Sequence, residues 1–219
     1  MISFQSVKDS PDIKIYIREA DRSLAALGYT EHSFAHVGRV ADVAANILAS
    51  LGRDERVVEL TKIAGYLHDI GNLVNRIEHS QSGAVMAFTI LRDMGMPPEE
   101  IAEITTAIGN HDEGTGVPVS DIAAALILAD KSDVRRSRVR NSEEVAVDIH
   151  DRVNYSVTKS SLHVDREDST LTLKLSIDES VGTVTDYFEI FLERMLMCRR
   201  AAQRLGLVFR LTINGIAMM

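Results

Sequence analysis

From residue 12 to residue 133, apolar positions recur at helical spacing and are broken by short polar turns. Residues 12–27 form an amphipathic segment that stops at Gly28. In 31–51 the positions Val37, Val40, Ala44, Ile47 and Leu51 fall on one helical face, and Gly52 follows as a residue suited to ending the helix. Residues 54–70 start at a capping candidate, Asp54, and stop at Gly71. A helix over 80–94 starts near Ser80 and ends before Gly95; another starts at Pro97 and Pro98, where proline is tolerated, and runs to about Ile108. The turn formers in Asn110–Ser120 make that stretch a loop. Residues 120–133, with the run Ala123–Ala129, are apolar enough for a core helix.

The period changes after about residue 150. Segments 154–164 and 170–177 alternate and are rich in β-branched residues, with the polar Asp165–Ser169 between them, which predicts a hairpin. Tyr155, Val157, Lys159, Ser161 and His163 are assigned to one side of the first strand; Leu171, Leu173, Leu175 and Ile177 line one side of the second. Residues 181–205 are helical and 207–213 read as one more strand. A lone hairpin is marginal in water, so these pieces should pack as one ββαβ unit. The expected fold class is therefore mainly α, with a helical domain over 1–145 and a small C-terminal α+β (ββαβ) subdomain over 146–219. An open sheet edge and the broad apolar face of the long helix lead us to expect a homodimer.

Composition narrows the picture. The chain has 219 residues, 45% apolar and 26% charged, the values of a globular domain. Its single cysteine, Cys198, excludes a disulfide scaffold and a cysteine-based zinc site, and reads as a small packing residue. The 24 Lys and Arg against 32 Asp and Glu give a net charge of −8, which disfavours generic binding to nucleic acid or anionic membrane. No apolar run reaches transmembrane length, and the first residues lack a basic stretch followed by an apolar one, so a cytoplasmic location is expected.

The histidines and aspartates carry the chemistry. His68-Asp69 closes an apolar helix, where both groups are costly unless paired or metal-bound. His36 lies in the stripe His36, Val40, Val43, Ile47, and Asp130 ends the apolar run of the core helix. His79 and His111 each stand just outside a helix, placed to reach across a cleft. Imidazole suits Zn, Fe, Mn, Ni and Co, and carboxylate suits hard divalent ions. Four His and two Asp are enough for two metals sharing a carboxylate.

In this order the residues resemble the H…HD…D pattern of the HD-domain superfamily of metal-dependent phosphohydrolases. His36-Val37-Gly38-Arg39-Val40-Ala41 is similar to the family's H-x-x-R-V-A, His68-Asp69-Ile70-Gly71 to its HDIG, and Ala129-Asp130-Lys131 to its final aspartate motif. His79 opens a stretch similar to the H-x-x-x-G-A of two-metal branches, and His111 matches their second inserted histidine. The resemblance implies that His36, His68, Asp69 and Asp130 hold one metal and that Asp69 bridges to a second on His79 and His111. Two divalent ions (Fe, Mn, Co, Ni, Zn or Mg) would then activate a water toward a small phosphorylated substrate, expected to be a nucleotide, with His68 and Asp69 at the catalytic centre.

The sequence also departs from that pattern. Many members follow HDIG with Lys; here Asn72 can donate a hydrogen bond but adds no charge. The candidate substrate contacts are Asn72, Lys131, Arg135 and Arg136, because Arg grips phosphate with two parallel hydrogen bonds. His32, placed one turn before His36 on the same face, is a candidate substrate contact or acid–base group. Asn110-His111-Asp112-Glu113 with Gly114, Gly116 and Pro118 is similar to the HHExxDGxGYP loop of cyclic-di-GMP phosphodiesterases, but it is shortened, with Asn110 for the first His and Val117 for Tyr. Two other functions fit the same ligands: a metal-binding regulatory module with little catalysis, and a mixed-valence di-iron oxygenase of the same superfamily.

Overall fold

The computed structural model describes residues 1–140 and 148–219. The expected domain boundary at 145/146 lies outside the described residues. The order is α1 (Phe4–Asp9), α2 (Pro11–Ala26), α3 (Phe34–Ser50), α4 (Glu55–Leu67), α5 (His79–Asp93), α6 (Pro98–Gly109), α7 (Asp121–Ser132), α8 (Ile149–Ser156), β1 (Val157–Asp165), β2 (Thr170–Ile177), α9 (Val184–Arg204), β3 (Val208–Ile213) and β4 (Ile216–Ala217).

Helix starts follow their caps. The side chains of Ser33, Asp54 and Ser120 accept hydrogen bonds from the backbone N–H of Ala35, Arg56 and Ala123, which fixes the starts of α3, α4 and α7. Helix α7 is the centre of the bundle: every residue from Ile122 to Ala129 is buried, and it packs on α3, α4, α6 and α9. Apolar residues all round a helix are stable only in such a place.

The C-terminal unit is the expected ββαβ with a short fourth strand added. Sheet order is β1-β2-β3-β4; β1 and β2 form the antiparallel hairpin, and α9 returns the chain so that β3 runs parallel to β2. Leu171, Leu173 and Leu175 pair with Phe209, Leu211 and Ile213, all buried on one face. The buried side of α9, with Tyr187, Phe191, Met195 and Cys198, lies against α7 and β3. One apolar cluster runs from Val7 to Ile213, so the sheet and the bundle share a core.

Two local expectations are corrected. Residues 154–156 belong to α8, because Asp148 caps the N–H groups of His150 and Asp151 and starts a helix; Tyr155 is helical and not on the first strand. His32 precedes α3 in a loop, since Ser33 is the cap.

Replacing Leu126 by Ala should cost about 2–5 kcal/mol, the range for a buried large-to-small change. Urea unfolding checks it; a loss below about 1 kcal/mol would contradict the central place of α7.

Candidate metal centre

Five elements each bring one or two side chains to a single point. His36 sits in the first turns of α3, His68 caps the end of α4, and Asp69 follows it. His79 opens α5, His111 follows α6, and Asp130 lies in the last turn of α7. The approach of the segments is close: a Cβ on Gly71 would lie 2.0 Å from the His79 carbonyl oxygen and 2.4 Å from the Gly83 nitrogen. Only glycine lets the turn after Asp69 pass beneath α5.

The hydrogen bonds around the ring edges fix what faces inward. His68, His79 and His111 donate Nδ1–H to the carbonyls of Gly65 (2.8 Å), Arg76 (3.1 Å) and Ile108 (2.6 Å). His36 donates Nδ1–H to Asp133 Oδ2 at 2.8 Å. With these protons directed outward, all four Nε2 atoms carry lone pairs into the site. His36 and His68 Nε2 are 3.3 Å apart, and His79 and His111 Nε2 are 3.2 Å apart. Asp69 Oδ2 is 3.2 Å from His68 Nε2 and 3.4 Å from His36 Nε2, yet it is buried without a hydrogen-bond partner. Asp130 Oδ1 lies 3.4 Å from His36 Nε2.

Acceptors this close repel unless a cation lies among them. His36, His68 and Asp130 can hold one ion, and His68, Asp69 and His111 form an overlapping set, each with ligand atoms within 4.8 Å of one another. The donor set of imidazoles and carboxylates, and the orphaned Asp69 oxygen, therefore fit a divalent metal. Without one, a proton takes the role. Burial opposes charge on His68, but the Asp69 and Asp130 carboxylates outweigh it and its pKa is pushed up to about 10. Burial holds His111 and His79 below their usual range. His79 Nε2 is also 3.6 Å from Asp69 Oδ1 and 4.0 Å from Asp112 Oδ1.

The remaining candidates behave differently from one another. Asn72 uses its amide to donate to both the backbone oxygen and Oδ1 of Asp69, each at 2.9 Å, so it brackets that carboxylate instead of facing a substrate. Lys131 pairs with Asp130 Oδ2 at 2.7 Å and lies 3.4 Å from Glu113, which Arg194 also meets at 2.5 Å. Arg135 and Arg136 do not line the cavity beside the centre. Arg135 is drawn to Asp133 and Ser137, and Arg136 to the Tyr155 carbonyl and Asp178. His32 does line it: its ring stands edge-on to His36 at 5.3 Å, its Nδ1–H is given to the Thr30 carbonyl, and burial lowers its pKa well below the usual value.

That cavity has a volume of about 460 Å³, and Asp69, His79 and Asp130 form part of its wall. Arg76, Lys131, Arg138 and Arg194 add four cations, and Tyr29 and Phe191 add rings. Arg76 was not signalled by the sequence; Arg138 belongs to the arginine run after Asp130 that the sequence offers for phosphate, and it lines the cavity where Arg135 and Arg136 do not. Arg76 Nη1 lies 3.4 Å from Asn72 Oδ1 and 3.4 Å from His79 Nε2. Arg138 is buried and donates to the backbone oxygens of Glu31 (2.9 Å) and Asp133 (3.0 Å). Asp133 is the other unsignalled residue; it holds His36 on one side and meets Arg39 at 2.9 Å and Arg135 at 2.8 Å on the other.

Replacing Asp133 by Asn should weaken metal binding about 10–100-fold, because a carboxylate behind a ligating imidazole fixes its tautomer and raises its basicity. Competition with a chromogenic chelator measures this; unchanged affinity would show that His36 needs no brace.

The chain is similar to several known proteins. A family model described as HD domain matches residues 33–156. An uncharacterized protein of Methanocaldococcus jannaschii is 29% identical over 140 residues, covering 54% of this chain and 53% of that protein. The chain thus spans about half the length of this curated relative. A crystal structure described as a predicted HD superfamily hydrolase, from an uncultured Thermotogales bacterium, is 28% identical, with a TM-score of 0.45 over 57% of this chain and 67% of that one.

Proposed function

The chain belongs to the HD-domain family, and from that premise we propose that it is a metal-dependent phosphohydrolase acting on a nucleotide or another small phosphate ester or anhydride. The observation that carries the reading is the convergence of four imidazole Nε2 atoms, Asp69 Oδ2 and Asp130 Oδ1 at the wall of a cavity edged by cations. His36, His68, Asp69 and Asp130 would hold one ion, and Asp69, His79 and His111 a second. Bound ions would supply Lewis acidity at a phosphoryl oxygen and lower the pKa of a water near it.

The chain's own residues supply the rest. Arg76 offers a guanidinium that forms no ion pair with a carboxylate among the described residues and stands next to His79. It gives the phosphate the positive charge that Asn72 lacks. Arg138, desolvated and fixed by two backbone oxygens, adds a second donor whose position costs little to organise. His32 keeps Nε2 unprotonated, since Nδ1–H is committed to Thr30, and so presents a proton acceptor at the cavity wall. Lys131 screens Asp130 and holds Glu113, whose pKa is lowered to about 2 despite burial by the charges of Lys131 and Arg194. Tyr29 and Phe191 offer rings to the part of the substrate beyond the phosphate.

No helix among the described residues is long and apolar enough to cross a membrane; a cytoplasmic site of action and a homodimer complete the proposal. Light scattering tests the dimer: a mass near 24 kDa, the mass of one chain, would overturn it.

A panel of phosphomonoesters, diesters and anhydrides, with metal reconstituted at controlled redox state, tests the activity. Metal-dependent phosphate release is expected, and Arg76→Ala should lower kcat/KM by about 10²–10³-fold, as for loss of a charged donor at a developing oxyanion. No turnover across the panel would favour a regulatory module. Oxygen-dependent cleavage of a carbon bond would move the assignment to the oxygenase.

A further inference from the structure

On the outer side of Asp133, away from the metal centre, lies an open groove of about 410 Å³ between the 135–137 turn and the start of β1. It shares no lining residue with the cavity at the metals. Its charged residues are all cations: Arg39, Arg135, Arg136 and Lys159. Ser137, Thr158 and Ser160 complete the lining. In a chain of net charge −8, this wall presents four cations and no carboxylate. Asp133 and Asp178 pair with three of the cations from behind, and the Thr158 and Ser160 hydroxyls donate to backbone oxygens.

The guanidinium groups are fixed from behind. Arg39 is held by Asp133 Oδ1 at 2.9 Å and the Ser160 carbonyl at 2.9 Å. Arg136 is held by the Tyr155 carbonyl at 2.6 Å and Asp178 at 2.9 Å, with its Cζ 4.6 Å from the centre of the Tyr155 ring. Each still has Nη1 without a hydrogen bond among the described residues. The exposed Lys159 likewise forms no ion pair among them. The register of β1 against β2 shifts between Val157 and Lys159, and the successive residues Thr158 and Lys159 are both exposed toward the groove. A bulge is a way of turning neighbouring side chains to one side. Donors held in place with unused N–H groups bind an anion with little ordering cost.

We propose that this groove is a second anion-binding site, for a small molecule carrying phosphate groups. A phosphate is acceptor-only and multiply charged, which matches a wall that offers donors and positive charge. The groove's size suits a small molecule, and the acidic remainder of the chain opposes a long polyanion.

The experiment is calorimetric titration of the full chain with methylenediphosphonate, a pyrophosphate analogue that cannot be hydrolysed at its bridge, at low salt and with Mg²⁺ in excess throughout. The expected result is a saturable site that persists in Arg76→Ala and is weakened at least about tenfold in Lys159→Glu. Lys159 is exposed, so a matched thermal melt is expected for that variant. Three results would overturn the proposal: no saturable binding, equal affinity in Lys159→Glu, or loss of the binding in Arg76→Ala, which would place the probe in the metal cavity. An RNA oligomer that displaces methylenediphosphonate at lower concentration, with the steep salt dependence of several phosphate contacts, would overturn the small-molecule assignment.

Discussion

The structure is organised by the need to keep electron-rich atoms together away from water. Two carboxylates and four imidazoles meet at the interior ends of α3, α4, α5, α6 and α7, and none of those ends can move without breaking the set. Burying such groups is costly unless charge is balanced and every proton has a destination. The chain meets the second condition with backbone: three of the four Nδ1 protons go to carbonyls of residues 65, 76 and 108, each three positions before the histidine that donates. Gly65 and Ile108 lie in the last turns of α4 and α6, and Arg76 lies in the turn before α5, so the local fold sets the tautomer. The first condition needs a cation, which is why the site fits a metal and why the Asp69 and Asp130 carboxylates push the pKa of His68 up.

The fourth proton follows a different rule, and it ties the C-terminal unit to the centre. His36 gives its proton to a carboxylate, Asp133, and that carboxylate is shared with Arg39 and Arg135. Arg39 also reaches the Ser160 carbonyl on β1, and Ser160 Oγ donates to the Ser132 carbonyl at 2.6 Å. The ββαβ unit is therefore part of the support of a ligand. It also supplies Phe191 and Arg194 to the cavity wall, and α8 supplies His150 and Asn154.

Much of this was legible in the sequence, for identifiable reasons. The helices α2 to α7 and α9 have long apolar periods, all but α5 and α6 start at a polar cap, and the structure places them close to the expected limits. The six ligand-type residues were legible because their order matched a family pattern. Short elements were not: α1, α8 and β4 are two to eight residues long, too few for a period to show. The alternation of Tyr155 and Val157 resembled a strand, but Asp148 caps a helix there. Residues after α7 were assigned by closeness in sequence to Asp130. Side-chain direction in that turn is set by Asp133, which draws Arg135 outward, while Asp178, 42 positions away from Arg136, holds the next arginine. Arg76 and Asp133 lie outside the regular helices, where periodicity carries no information about which way a side chain points.

Net charge is a poor guide to the local charge of the two concavities, and the reason is geometric. An excess of eight acidic groups would seem to repel phosphate. Yet many acids stand behind cations: Asp133 behind Arg39 and Arg135, Asp178 behind Arg136, Asp130 behind Lys131, and Glu113 behind Lys131 and Arg194. A carboxylate so placed offsets part of the cation's charge, but it fixes the cation's orientation, and Arg39 and Arg136 each keep Nη1 without a hydrogen bond among the described residues. Acidic residues thus become the scaffold for positive surfaces, and an acidic chain can present concavities suited to anions.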